Sequence, residues 1–320
     1  MNPTSIPTVS FFKVYKNAKR ILKNPLPFHR ENFERLGDIF EVILGPRSKA
    51  IFIRDPRLAQ HILQKQHRKY YKSDLQSKEL AKYIGEGLLT ANGQKWLKQR
   101  RLIQPAFHRK KLESIASTIR NTIQEELTVI QPNQEMAIHG LMGDLAFNVV
   151  GKSLFSYVDN NNIIQRLKQI TDATQKSLIK EIRQPYKRWW FYFSGQIRNT
   201  FKQTDEARAI LYKIIEERRA TSKTYDDLLD MLLEARYEDG GKMDNEQLFD
   251  EILILFVAGY ETTSNALTFT LMLLAMHPEI LEKVYREALQ PTNGNSSFAE
   301  LGWRDRYTKQ CIEEALRLCP

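Results

Sequence analysis

A carboxylate and two hydroxyls, Glu261, Thr262 and Thr263, interrupt the most apolar stretch of the chain, ILILFVAGYETT at residues 252–263. Burial alone does not call for an acid and a threonine pair inside a helix, and glycine and threonine both weaken one. In helical register the Thr262 hydroxyl reaches the carbonyl of Ala258, four residues back. Gly259 leaves room beside the backbone for a small molecule. An acid at 261 next to a hydroxyl at 262 has the composition to pass protons into such an opening. A second reading fits the same spacing: a polar notch where this helix crosses another, with glycine permitting close approach.

Trp96 and Arg100, in WLKQR, are four residues apart and share a helix face. An indole N–H and a guanidinium on one face can grip a carboxylate. They lie within residues 94–111, which carry seven Lys or Arg and no acid. Read blandly, that run is a solvated basic helix. Its amphipathic flanks and the lack of a zinc-finger, helix-turn-helix or base-stacking module argue against nucleic acid. Glu314 and Arg317, in EALR, are three apart and can pair on a helix; in isolation they read as a surface ion pair. The tract KRWWFYF, 187–193, joins aromatic and basic side chains between two long helices. It suits a membrane interface, the mouth of an apolar pocket, or a loop folded back on the body. A Gly-rich phosphate loop, His-Glu-x-x-His and a nucleophile elbow are all missing.

The elements that must position these groups are mostly helices. Residues 39–44 and 49–54 read as a β hairpin around Gly45-Pro46-Arg47-Ser48, and Asp55-Pro56 opens a helix reaching about His67. Residues 70–87 are polar and irregular, with a short helix near 75–83. Apolar residues then recur every three to four positions over 94–106, 110–130, 138–155, 163–182, 199–221 and 225–237. Asp244 and Gln247 form a capping box for the helix that runs to Met276. His277-Pro278 opens another, the polar loop 291–297 follows, and the last helix spans about 304–318. No Pro/Ser-rich linker divides the chain, so one domain with a small β portion is expected.

Composition sets the outer bounds. The 320 residues are 42% hydrophobic and 27% charged, with 14 glycines and 12 prolines, too few for a loop-rich all-β protein. The net charge of +10 favours an acidic partner or an anionic surface. Cys311 and Cys319 would lie roughly 12 Å apart along one helix, beyond disulfide reach, and read as reduced cytosolic thiols. The N-terminal twenty residues lack an apolar core for a signal or anchor, and Glu261 with its polar neighbours argues against a membrane span at 252–276. A soluble, cytoplasmic protein without a transmembrane anchor is expected.

In this order and spacing, WLKQR, AGYETT and EALRLCP resemble the cytochrome P450 family of haem-thiolate monooxygenases. The likeness spans essentially the whole chain, and GLLTANGQKWLKQRRLIQPAF is most similar to bacterial members related to fatty-acid hydroxylases. The resemblance implies a mainly α, P450-like fold with a small N-terminal β portion, and a haem (iron protoporphyrin) cofactor. Thr262 with Glu261 would guide protons to dioxygen, while Ala258, Gly259 and Thr263 would lie at the haem face. Trp96 and Arg100 would bond a propionate, and Glu314 and Arg317 would form a buried structural pair. Residues 70–88 would cover a small, apolar, fatty-acid-like substrate, with the aromatic tract at the channel mouth. The basic face would dock an acidic ferredoxin- or flavodoxin-like electron donor.

One feature of the family is not matched. Its iron is held by a cysteine in a glycine-containing loop well after EALR. Cys319 lacks that loop and Cys311 lies in the preceding helix, so neither is assigned to the metal. The resemblance thus implies a single partial domain over 1–320, its C-terminal part missing. By itself it is expected to be inactive and to lack the thiolate band in the reduced, carbon-monoxide-bound spectrum. The alternative from another class is a non-catalytic helical protein that binds a lipid or partner through a retained apolar pocket.

Overall fold

A computed structural model describes residues 5–45, 48–156, 161–184, 188–221, 223–290 and 306–319. Its contacts divide the chain into two compact units, residues 1–71 and 72–320.

In the first unit the expected hairpin forms from β2 (Ile39–Gly45) and β3 (Ser48–Ile53), antiparallel with Phe40 opposite Phe52. A two-residue strand, β1 (Thr8–Val9), adds in parallel to β2. It is too short to leave any periodic trace in the sequence. Helices α1 (Phe11–Lys16), α2 (Ala18–Lys23) and α3 (Leu26–Leu36) precede the hairpin, and Val9, Phe28, Phe40 and Val42 make a small core. Asp55 caps α4 (Pro56–Gln60) as its type predicts, its carboxylate accepting from Arg57 N at 2.6 Å. The helix expected to run to about His67 instead widens into a π-turn at His61–Lys65.

The second unit is helical. A π-turn at Leu75–Leu80 leads into α5 (Ala81–Ile84), then α6 (Gly93–Ile103), α7 (Arg109–Ser114) and α8 (Ala116–Leu127). The single helix expected over 110–130 breaks at Ile115, a break that no glycine or proline announces. Next come α9 (Ile138–Leu154), α10 (Asn161–Arg183), α11 (Arg188–Phe193), α12 (Gln196–Ala220) and α13 (Leu228–Glu234). The chain then continues through α14 (Asn245–Met276), α15 (Pro278–Ala288) and α16 (Arg306–Leu318). The loop expected at 291–297 lies outside the described residues. The aromatic tract is helical, as α11: Phe191 is buried while Trp189, Trp190, Tyr192 and Phe193 are exposed.

Helix α14 is the axis of this unit, packed against α9, α12, α13, α15 and α16. By length and composition it is the one helix among the described residues that is long and apolar enough to cross a membrane. Its inner half supplies Phe249, Ile252 and Phe256 to a core shared with Phe147, Leu154, Ile215 and Leu229. Asp244 Oδ1 accepts from Gln247 N at 2.7 Å, the forward half of the expected capping box. The reverse half is not made. Gln247 Nε2 donates instead to Glu86 O and Glu251 Oε1, better-placed acceptors from a loop and the next turn.

Candidate active site

The Thr262 hydroxyl donates to Ala258 O at 2.6 Å, the bond its spacing predicts. Back-bonding by itself does not single it out, since Thr268 and Thr270 do the same on this helix. What separates Thr262 from those two is exposure: it lies open with Ala258 and Thr263, whereas Thr268 is half-buried and Thr270 buried. Gly259 points elsewhere. A Cβ at that position would meet Val150 Cγ2 of α9 at 3.0 Å, so this glycine serves the crossing of two helices. The Val150 contact supports the packing-notch reading for Gly259, while Ala258 and Thr262 lie exposed. Gly259→Val is expected to force the helices apart and destabilise the fold by about 1–3 kcal/mol. Urea denaturation would measure it, and a loss under half a kilocalorie would remove the crossing from the account.

Glu261 turns into the interior between α10 and α14, where two cavities meet. One, of ≈ 330 Å³, is apolar and lined by Leu80, Tyr83, Ile84, Leu89, Ile170, Leu178, Leu253 and Val257, with Thr171, Thr174 and Thr204 among its walls. The other, of ≈ 270 Å³, is polar and lined by His139, Asp172, Lys176, Tyr260, Ser264 and Asn265. Gln175, Ile179 and Glu261 border both. A carboxylate on that boundary has solvated proton donors on one side and apolar space on the other. Tyr260 is fixed there by donating its phenol to Asp172 Oδ1 at 2.6 Å. Burial first, then that carboxylate, pushes its ionisation well above the usual phenol value, so it stays protonated.

Trp96 is half-buried and Arg100 exposed on α6, and neither side chain finds a hydrogen-bond acceptor among the described residues. The other cations of α6 are already engaged: Lys95 with Glu86 at 2.7 Å, Lys98 with Asp239 at 3.5 Å and Arg101 with Glu238 at 2.9 Å. These three of the seven basic residues expected to form that face are thus paired with acids outside it, two of them with acids some 140 positions on.

Glu314 and Arg317 do pair, through two bonds of 2.6 and 2.7 Å, but they are exposed, against the buried pair that the resemblance implies. Only Ala315 of α16 is buried, and the ion pair lies off the face that meets α14 and α15. Sequence reasoning also overlooked Asp250 and Glu251, immediately before the apolar run. Glu251 is fully buried, accepting from Leu88 N at 3.0 Å and Gln247 Nε2 at 2.9 Å. Asp250 accepts from Glu86 N at 2.8 Å and pairs with Arg208 of α12 at 3.0 Å. The available signal was two acids inside a helix whose next residues are all apolar, facing a glycine pair, Gly85 and Gly87.

The chain belongs to the cytochrome P450 family, whose model matches residues 3–320. It is 29% identical over 286 residues to cyclooctat-9-en-7-ol 5-monooxygenase of Streptomyces melanosporofaciens, covering 89% of this chain and 61% of that protein. It is 26% identical to pentalenene oxygenase of Streptomyces avermitilis, over 99% of this chain and 69% of the relative. With secologanin synthase 1 of Catharanthus roseus the figures are 30% identity, 86% of this chain and 55% of the relative. The chain therefore spans from about half to two thirds of these relatives. The fold matches that of retinoic acid-bound cyanobacterial CYP120A1 with a TM-score of 0.75 at 22% identity, over 92% of this chain and 65% of that one.

The family implies a haem, and the side chains present fit one on two counts. An indole N–H and a guanidinium without acceptors suit a propionate, and Ala258 with Thr262 leaves an open, small-residue face. Among the described residues Cys311 does not fit as a ligand to the iron. Burial and, second, Glu287 push the Cys311 thiol up, away from the thiolate that binds metal. Among the described residues no cluster of three His, Cys, Asp or Glu could hold a metal.

Proposed function

We propose that this chain carries the substrate- and oxygen-handling half of a haem-dependent monooxygenase that inserts one oxygen atom into a small apolar organic molecule. The observation that carries the reading is Glu261. It stands on the border between an apolar cavity and a polar one, next to a threonine on an open helix face. Two relatives bear names that contain an alkenol and an alkene, which supports an unsaturated hydrocarbon skeleton as the substrate class.

Bound haem would supply the iron at which dioxygen is activated. Everything else falls to residues of this chain. Trp96 and Arg100 would hold a propionate of that group through an indole N–H and a charge-assisted guanidinium bond. The apolar cavity takes the substrate and excludes water from it. The Glu261 carboxylate collects a proton from the polar cavity, where Lys176 and His139 lie, and carries it toward Thr262 Oγ1. That hydroxyl, exposed and donating to Ala258 O, keeps its lone pairs free to accept. Electrons come from an external protein, proposed to be ferredoxin- or flavodoxin-like and acidic, in keeping with the net charge of +10. A cytoplasmic setting goes with this reading.

Titrating the purified chain with haemin, in imidazole as a surrogate ligand, tests the cofactor half directly. Wild type is expected to bind one haemin saturably by Soret absorbance. Arg100→Ala is expected to weaken binding about ten- to hundredfold, the value of one charged hydrogen bond. Equal affinity in Arg100→Ala and Trp96→Phe would overturn the propionate assignment.

A further inference from the structure

We propose that Asp250 and Glu251 are positioning residues that clamp the 85–91 loop onto α14 as one wall of the apolar cavity, and that protonation of Glu251 holds this clamp closed. The part played in substrate entry rests on the reading of that cavity as the substrate site; the clamp itself does not.

The two carboxylates are consecutive, and each takes a different backbone N–H of the same loop. Asp250 accepts from Glu86 N at 2.8 Å and Glu251 from Leu88 N at 3.0 Å. The backbone there has no space to spare. A Cβ on Gly85 would come within 1.9 Å of the Asp250 carboxylate, and one on Gly87 within 2.6 Å of Glu251 Oε2. Gly85 also has φ +78°, in the region that favours glycine. The loop is braced internally as well, with Thr90 Oγ1 donating to Gly85 O at 2.7 Å and Ala91 N to Gly87 O at 2.8 Å. It therefore moves as a unit. It bears on the cavity: Ile84 precedes the clamp, Leu89 lies within it, and both line the cavity together with Leu253 and Val257 of α14. Parting the loop from α14 opens that wall.

Glu251 has no exposed surface and no ion-pair partner among the described residues, whereas Asp250 has Arg208. The charges around the clamp come from several elements. Lys72 donates to Leu88 O and Ala91 O from the segment before the loop, Glu86 lies in the loop, Lys95 is on α6 and Arg208 on α12. Burial, only partly offset by the Leu88 and Gln247 N–H groups, raises the Glu251 carboxyl to about 7. In an open loop the carboxylate meets water and returns to the ordinary range, near 4.5. A group that binds its proton more tightly when closed favours the closed form at low pH. That stabilisation is complete below the open-state value and disappears as pH rises through about 7. From these two values the closed-to-open ratio falls about tenfold between pH 6 and pH 8.

Hydrogen exchange on the full chain, corrected for the intrinsic pH dependence of the amides, measures the clamp without haem or substrate. Protection of residues 86–91 in wild type is expected to fall about tenfold from pH 6 to pH 8, while that of α9 stays level. Glu251→Gln, neutral throughout, is expected to show no such fall. Gly87→Ala, which wedges the loop off Glu251, is expected to leave it unprotected at both pH values. A level wild-type profile, or the same fall in Glu251→Gln, overturns the clamp. Stopped-flow uptake of Nile red tests entry: its rate is expected to rise about tenfold at pH 8 in wild type and to stay constant in Glu251→Gln. An unchanged rate beside a pH-dependent loop overturns the role in entry. Neither result depends on haem binding, so a failure of the monooxygenase reading is recognised separately.

Discussion

Replacing Asp227 with alanine is expected to destabilise the helical unit by about 3–5 kcal/mol, through loss of the partner of a buried charge. Arg218 of α12 is buried and sends both terminal nitrogens to Asp227, each at 2.8 Å, with a further bond to Asp230. Asp227 also caps α13, accepting from Asp230 N at 2.9 Å, and takes Ser156 N at 3.0 Å from the turn after α9. One carboxylate thus ties together α9, α12 and α13. Without it the guanidinium stays in the core with one of its three acceptor oxygens, and two backbone N–H groups are orphaned. For a unit of this size the loss corresponds to a fall in Tm on the order of 10 °C, which calorimetry would record. Converting Arg218, Asp227 and Asp230 together to Met, Leu and Leu is expected to restore much of it, because the penalty lies in the unpaired charge. A single-variant loss below about 1 kcal/mol would mean that water reaches the guanidinium.

The helical body was largely legible because its signals are local. Asp244 before an apolar run marks a helix start, and the Thr262-to-Ala258 bond follows from helical register alone. The unreadable features are those in which partners meet from far apart in the chain. Lys98 and Arg101 look like a free cationic face until Asp239 and Glu238, some 140 positions on, are folded against them. Glu251 reads as a surface acid until Leu88 N, 163 residues earlier, is found on its carboxylate. Glu314 and Arg317 show the limit of motif transfer: the spacing fixed the pairing, but burial depends on what packs over it. Gly259 carried two readings in the sequence, and only the position of Val150 separates them.

These distant contacts bear on the site in one direction. The face of α14 that carries Ala258 and Thr262 is open, and its other faces are fixed by groups that have no chemical part to play. Gly259 seats the helix on α9, Tyr260 binds α10 through Asp172, and Glu251 with Asp250 holds the loop before α6. Glu261 lies at the boundary between the cavities. If Glu261 handles protons as proposed, this fixed backbone is what would hold its carboxylate at that boundary.

Phe256→Ala is expected to have the other large effect, a loss of about 3–5 kcal/mol. Its ring is 2% exposed and packs against Phe147 of α9 at 5.2 Å and Phe155 at 5.7 Å between centroids. Phe147 in turn meets Tyr260 edge-on at 5.3 Å, so the cluster reaches the residue beside Glu261. Removing the ring leaves an apolar void with no polar group to hold water, which the surrounding helices fill only in part. Urea denaturation followed by circular dichroism would measure the loss, and an unchanged denaturant slope would show that compactness is retained. Benzene is expected to stabilise the alanine variant more than wild type, since it regains contacts that the ring supplied. A variant that is destabilised but indifferent to benzene would mean that α9 and α14 have collapsed together. In that event Glu261 would be displaced from the boundary between its two cavities.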